Sequence, residues 1–179
     1  MLFRSAVVAY SSNPWHVELP AAKFEDYLRL YGLERIIELR ARRGERQKAG
    51  RELFVRCAKA LLTGARPSLA ATQPAGLPYE IVPAIDPTAG PTAGHAPLRG
   101  RVLFHRTPLA GALVVALFRD DPSVRLTARS ATDGTFTFAL PKPGVWLVKS
   151  VHMIDAPKGS AAEWESFWGS LTFDWPAQK

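Results

Sequence analysis

The chain has few of the residues that build disulfide-bonded or metal-bound folds. Its one cysteine, Cys57, excludes an internal disulfide and every metal motif made of several cysteines. No apolar run approaches the ~20 residues that span a bilayer. The first ten residues do not show the order of regions typical of a signal peptide, so none is expected in this chain. What remains, 47% hydrophobic and 22% charged residues among 179, is typical of a globular protein.

Basic residues outnumber acidic ones by 23 to 16, and most of the excess lies in residues 1–66. The densest basic stretch covers residues 40–48 and is followed by Arg51, Arg56 and Lys59. Such a stretch can attract nucleic acid. No aromatic residue alternates with these arginines and no nucleic-acid-binding motif accompanies them. A solvated helix end is therefore the favoured interpretation, and nucleic-acid binding is the least favoured function.

The N-terminal region predicts extended chain followed by helix. Residues 1–19 contain strand formers and a turn signal. Residues 20–44 carry apolar side chains at helical spacing. Gly32 fits the left-handed position after a helix end, with Leu33 able to contact Leu28. We expect two helical pieces that meet at Gly32.

Two further segments are less regular. Residues 51–62 mix strand formers with helix formers, and a strand is the favoured interpretation. Residues 67–97 are rich in proline and glycine, which interrupt helices and strand ladders. We expect a linker there that contains one short strand, at residues 79–82.

Beyond residue 97 the hydrophobic pattern changes to a period of two, with turn residues between short runs. This alternation is typical of strands with one buried face. The predicted strands cover residues 98–105, 112–119, 124–130, 135–140, 144–154 and 165–175. The strand at 79–82 brings the count to seven. No helix-length pattern separates the six strands beyond residue 97, which argues against a parallel α/β sheet.

The sequence thus predicts a mainly β chain, α+β overall. A C-terminal seven-stranded antiparallel β-sandwich follows a short helical segment. Three regions are expected: an N-terminal part (1–66), the linker (67–97) and the sandwich (98–179).

Residues 100–104, 108–114, 132–138 and 144–146 resemble a transthyretin-like or carboxypeptidase-regulatory-like sandwich. The resemblance implies an Ig-like arrangement of strands. It implies little about function, because sandwiches of this kind serve many functions.

A closer resemblance rests on residues 20–28 with 32–34, residues 77–83, and Val151-His152-Met153 followed by residues 163–173. These stretches resemble a bacterial extracytoplasmic domain-of-unknown-function family, often described as a nickel-uptake substrate-specific transmembrane component. The resemblance covers nearly the whole chain. It implies a periplasmic location and, as partner, a membrane transport component or surface protein. Family members usually begin with a signal peptide and an earlier β-domain, so it also implies an N-terminally truncated chain.

His152 is the foremost candidate for a metal ligand. Asp155, Glu163 and Glu165 follow it closely, and imidazole with carboxylates can hold zinc, nickel or copper. The resemblance makes nickel or cobalt the ion to expect. One histidine with carboxylates at no fixed spacing is a weak metal signal, however. A hydrogen-bonded structural histidine is the favoured alternative.

No catalytic residue is expected. Ser166, His152 and Asp155 have the residue types of a hydrolytic triad, but no Gly-x-Ser-x-Gly turn surrounds Ser166. Trp164 and Trp168 are the expected ligand or partner surface, because the alternation in residues 165–175 assigns the core to other side chains.

These features favour a non-enzymatic extracytoplasmic binding or accessory module associated with nickel or cobalt uptake. The alternative is a structural sandwich that binds a protein or a carbohydrate and has no metal role.

Overall fold

The computed structural model describes residues 5–64, 68–89 and 97–177. The helices are α1 (Ala21–Leu30) and α2 (Glu34–Arg42). Two 3-10 turns lie at Leu69–Thr72 and Pro87–Ala89. The strands are β1 (Ala6–Ser11), β2 (Trp15–Leu19), β3 (Gly50–Leu62), β4 (Tyr79–Pro83), β5 (Leu98–Phe104), β6 (Thr107–Pro108), β7 (Leu113–Phe118), β8 (Asp121–Arg129), β9 (Thr135–Phe138), β10 (Gly144–Asp155) and β11 (Trp164–Trp175).

The break between α1 and α2 confirms the prediction at Gly32. This residue has a φ of 64°. Its N–H donates to the carbonyl of Arg29 at 3.1 Å, and the N–H of Leu33 donates to the carbonyl of Leu28 at 2.9 Å. These two bonds form a Schellman motif, which ends α1 and lets the chain turn into α2.

The larger sheet has seven strands in the order β1-β3-β11-β10-β7-β8, and β2 also pairs with β3. β1 lies beside Cys57–Leu62 and β2 beside Gly50–Phe54, so these two strands share one edge of the sheet. β8 forms the other edge. The predicted strand at residues 51–62 is confirmed as β3.

The larger sheet is mixed, whereas the sequence predicted antiparallel strands. β3 runs parallel to β11, from the Glu52–Trp164 pair to the Ala60–Thr172 pair. All other strand pairs of the larger sheet are antiparallel. A parallel pair needs a long connection. Here the whole chain from β4 to β10 supplies it. Strands from residues 1–66 and 98–179 are therefore direct neighbours in one sheet.

The smaller sheet has four strands in the order β4-β5-β6, with β9 also paired to β5. The seven predicted C-terminal and linker strands all appear close to their expected bounds. They divide between the two sheets, β4, β5 and β9 joining the smaller one. The transthyretin-like and Ig-like identity of this arrangement stays a prediction.

Two hydrophobic cores lie on opposite faces of the larger sheet. The first joins both sheets and includes Trp146, Phe167, Phe136 and Tyr79. The second joins the sheet to α1 and α2 and includes Phe24, Leu28, Ile36, Met153 and Trp164. We call the two faces the small-sheet face and the helix face.

Part of the predicted linker is ordered structure: residues 68–89 contain β4 and both 3-10 turns. Residues 65–67 and 90–96 lie outside the described residues, as do the four N-terminal residues of the predicted extended segment. Over the part of the chain that is described, no helix has the length and apolar character needed to cross a membrane.

Candidate functional site

His152 lies on the small-sheet face of β10. It pairs with Phe167 of β11, and opposite residues of an antiparallel pair share a face. Its ring centroid is 4.6 Å from that of Phe104 and 6.0 Å from that of Tyr79. Burial, aided by Arg35 and His105, lowers the pKa of His152 to about 4. The imidazole is therefore neutral at physiological pH.

The three carboxylates predicted beside His152 lie in different surroundings. Asp155 accepts two hydrogen bonds from the Arg43 guanidinium, at 2.6 and 3.1 Å, which lower the pKa of its carboxyl group. Glu163 accepts from the backbone N–H and Nε of Arg51, at 3.0 and 2.9 Å. Only Glu165 shares the small-sheet face with His152, since it pairs with Ile154.

These positions do not fit a nickel or cobalt site as the side chains stand. Asp155 pairs with Trp164 on the helix face, opposite to His152, and both Asp155 and Glu163 are already neutralised by arginines. Within residues 5–64, 68–89 and 97–177, no three His, Cys, Asp or Glu side chains are grouped closely enough to hold a metal ion.

Ser166, His152 and Asp155 do not form a triad. Ser166 is fully buried on the helix face and donates its hydroxyl to Glu52. His152 points to the opposite face of the same sheet. Cys57 is also buried, and its burial raises the pKa of the thiol, which agrees with the interpretation of Cys57 as a small core residue.

The expectation of an exposed Trp164 is wrong. Its side chain is 0% exposed and belongs to the core beneath α1 and α2. The Arg43 guanidinium carbon lies 5.2 Å from its ring centroid. The alternation along β11 was read correctly, but it could not show that two helices cover this end of the face.

Trp168 is half-buried and lies at the margin of the helices. Its ring stacks parallel to that of Tyr27 at 5.8 Å and meets Tyr31 edge-on at 4.7 Å. The guanidinium carbon of Arg56 lies 4.5 Å from the Trp168 ring. The Lys149 ammonium lies 5.4 Å from the Tyr31 ring. Aromatic rings and cations thus form one continuous cluster, held together by cation–π attraction.

The buried carboxylate of Glu52 supports this cluster through hydrogen bonds. Glu52 is 2% exposed and accepts hydrogen bonds from Tyr27 (3.1 Å) and Ser166. The Ser166 hydroxyl in turn accepts from the Trp168 indole N–H at 3.0 Å. Burial raises the pKa of Glu52, although these hydrogen bonds oppose the shift. Glu52 therefore orients both stacked rings.

Beyond the cluster, no helix or strand of the described residues covers the helix face. Val8, Tyr10 and Trp15 pair with Ala60, Ala58 and Phe54 of β3, residues on the same face as Glu52. Their exposed fractions are 53%, 58% and 64%, and that of Leu62 is 54%. We call this region the open face; it comprises Val8, Tyr10, Trp15, Arg56, Leu62, Lys149 and Trp168.

Sequence reasoning found Trp168 but missed its neighbours. Tyr27 and Tyr31 lie within the helical spacing of residues 20–44, and Arg56 follows the basic stretch at 40–48, so the sequence does not join them to Trp168. The alternation Glu52, Phe54, Arg56 in a predicted strand was a usable signal, because it places a carboxylate, an aromatic ring and a cation on one face.

Comparison with curated proteins and with solved structures gives no match. Comparison with protein-family models gives a match over residues 7–154, which runs from β1 almost to the end of β10. The matched segment includes both helices, β3 and His152, and ends before β11. The chain therefore belongs to the family described as a domain of unknown function, DUF4198.

Proposed function

We propose that this chain is a non-enzymatic binding module that holds a protein partner on the open face. The observation that carries the proposal is the concentration of exposed apolar side chains there. Val8, Tyr10, Trp15 and Leu62 are each more than half exposed and share one sheet face. Large apolar side chains gathered on one surface are typical of interaction sites.

The charges on the open face indicate the chemistry of the partner. Arg56 and Lys149 point to this face, and among the described residues neither makes an ion pair with a carboxylate. Both are held over aromatic rings. Burial and the nearby Arg125 lower the pKa of Lys149, so an incoming carboxylate would relieve an unfavourable environment. The matching partner has apolar side chains next to acidic ones.

An accessory role in nickel or cobalt uptake is compatible with this surface and needs no metal ligand in the chain. The family resemblance supports that role and an extracytoplasmic location, with a membrane transport component or surface protein as partner. A protein-binding face would serve such a role by docking. The alternative remains a structural module whose partner is a protein or carbohydrate unrelated to metal.

Selection of peptides from a random phage-displayed library tests the proposal. We expect the selected peptides to combine Asp or Glu with aromatic or aliphatic residues. Their affinity should fall about tenfold in Arg56→Gln and in Trp15→Ala, which corresponds to ~1.4 kcal/mol each. It should also fall with salt, because the exposed charges are screened.

The matched control is Arg101→Gln, an exposed arginine on the smaller sheet. Peptides that bind all variants equally would contradict the proposal. Salt-insensitive binding of neutral oligosaccharides, lost in Trp15→Ala, would indicate the carbohydrate alternative. A thermal-unfolding midpoint raised by nickel or cobalt in the wild type, but not in His152→Ala, would move the function to metal binding.

A further inference from the structure

The two edges of the larger sheet differ in how they are protected. β8 contains a proline, Pro122, and the charged residues Asp121, Arg125 and Arg129. β1, with the sequence Ala-Val-Val-Ala-Tyr-Ser, contains neither a proline nor a charge. Edge strands of soluble proteins usually carry such residues, because an unprotected edge pairs with other strands.

The backbone of β1 is available on its outer side. All six residues pair with β3 on the inner side. Within the described part of the chain, no strand pairs with the outer side. Val8 and Ala9 are exposed, and so is Tyr10. The outer side of the strand therefore offers a row of N–H and C=O groups that no strand of the described residues pairs with, flanked by apolar side chains.

We propose that a second copy of this chain occupies this edge, with β1 paired antiparallel to β1 of its partner across a two-fold axis. Antiparallel pairing of identical strands is self-complementary, so one surface serves both copies. Charge favours this occupant over an acidic one. β1 has no cation to attract an acidic strand, and in a chain of net charge +7 it is a segment where two copies meet without like-charge contact.

The two-fold axis of such a pair is perpendicular to the sheet, so both copies keep the same face on the same side. The two open faces then lie next to each other on one continuous sheet. Since opposite residues of an antiparallel pair share a face, we place the two-fold axis at Ala9, where residues 7–11 of the two copies pair. This contact is smaller than a standard interface of ~1,600 Å². We therefore expect a weak dimer that dissociates in the micromolar range.

Sedimentation velocity from about 1 μM to about 1 mM, free of any peptide or metal, tests the dimer. The wild type should shift from monomer to dimer over this range. Val8→Lys places a charge on the edge and should remain monomeric throughout. The matched control, Thr127→Lys, places the same charge on β8 and should dimerise like the wild type.

Cross-linking provides a second measurement that does not depend on these substitutions. Since Cys57 is buried, Ala9→Cys introduces a single exposed thiol on β1. Under mild oxidation it should form a disulfide between two copies, while Thr127→Cys should not. A wild type that stays monomeric, or a dimer that survives Val8→Lys without cross-linking through Ala9→Cys, would overturn the proposal. Because Val8 also belongs to the open face, peptide binding is judged only on Arg56→Gln and Trp15→Ala, so the dimer and the peptide site can fail independently.

Discussion

The two faces of the larger sheet differ in how their buried polar groups are paired. On the small-sheet face, the Lys59 ammonium is 2.7 Å from Glu80, and Glu80 also accepts from the N–H groups of Ala75 and Gly76 at 2.6 and 3.1 Å. On the helix face, Glu52 has hydroxyl donors and no cation bonded to it among the described residues.

The two fully buried tryptophans repeat this difference. The indole N–H of Trp146 donates to the carbonyl of Lys142 at 3.0 Å. That of Trp164 has no partner within the residues that the structure describes. Of the two tryptophans, only the one on the small-sheet face has its N–H satisfied among the described residues. The helix face carries the Trp164 indole N–H and the open face.

The largest expected effect comes from breaking the satisfied pair. Glu80→Ala leaves the Lys59 ammonium buried without its carboxylate and frees the loop N–H groups, so the free energy of unfolding should fall by about 3–5 kcal/mol. Glu52→Ala leaves only two hydroxyl groups without their acceptor, so the free energy of unfolding should fall less, by about 1–3 kcal/mol. Urea denaturation of both variants measures the difference.

The cause can be checked in the double variant. Lys59→Met in the Glu80→Ala background removes the unpaired buried ammonium. It should therefore recover part of the lost free energy of unfolding. Equal losses in the two single variants, or no recovery in the double variant, would contradict the comparison.

The second expected effect is that the buried titratable groups of the two faces make the free energy of unfolding depend on pH with opposite signs. His152 has a pKa near 4 when folded and 6.5 in a model peptide, so unfolding takes up a proton between these values. Its contribution is complete above pH 6.5 and is lost as the pH falls towards 4, by up to about 3 kcal/mol. Glu52 has a raised pKa, so its contribution improves as the pH falls through its folded pKa.

Unfolding free energies measured between pH 7 and pH 4 in wild type, His152→Gln and Glu52→Gln separate the two groups. His152→Gln should flatten the acid loss, and Glu52→Gln should steepen it. Identical pH slopes in all three proteins would show that neither burial environment acts as described.

The smallest expected effect distinguishes the two tryptophans. Trp146→Phe removes a hydrogen bond and leaves the Lys142 carbonyl without its donor. Trp164→Phe removes an indole N–H that has no hydrogen-bond partner in the described part of the chain. Both lose similar volume, so Trp146→Phe should be the more destabilising by about 1 kcal/mol.

Thermal or chemical unfolding of the two variants at one pH checks this ranking. The wild-type protein is the common reference, and near-ultraviolet circular dichroism confirms that each core still packs. A greater loss in Trp164→Phe would mean that its cation–π contact with Arg43 outweighs the hydrogen bond of Trp146.

Most strands were predictable from sequence because each is specified locally. In β9, Phe136 and Phe138 alternate with threonines after a turn at Gly134, so the local pattern alone is enough to predict the strand. Gly32 likewise marks a helix end by its own backbone conformation. The predicted bounds of β8 are less accurate, since the strand begins at Asp121 and not at residue 124, next to a bulge opposite Phe118.

The candidate site was less predictable because its contacts join distant parts of the chain. Glu52 and Ser166 are 114 positions apart. Trp168 stacks on Tyr27 of α1, which is even more distant in the sequence. The predicted ligands Asp155 and Glu163 form ion pairs with Arg43 and Arg51. No local spacing in the sequence connects these arginines to the two carboxylates.

The sequence by itself determined the period-two strands, the paired helices that meet at Gly32 and the excess of positive charge, because these depend on neighbours within a few residues. Only the tertiary structure decided that β3 lies parallel to β11, that Trp164 is buried while Trp15 is exposed, and that a carboxylate supports the rings of the open face. Those outcomes depend on which faces pack together, and close packing involves side chains that are far apart in the sequence.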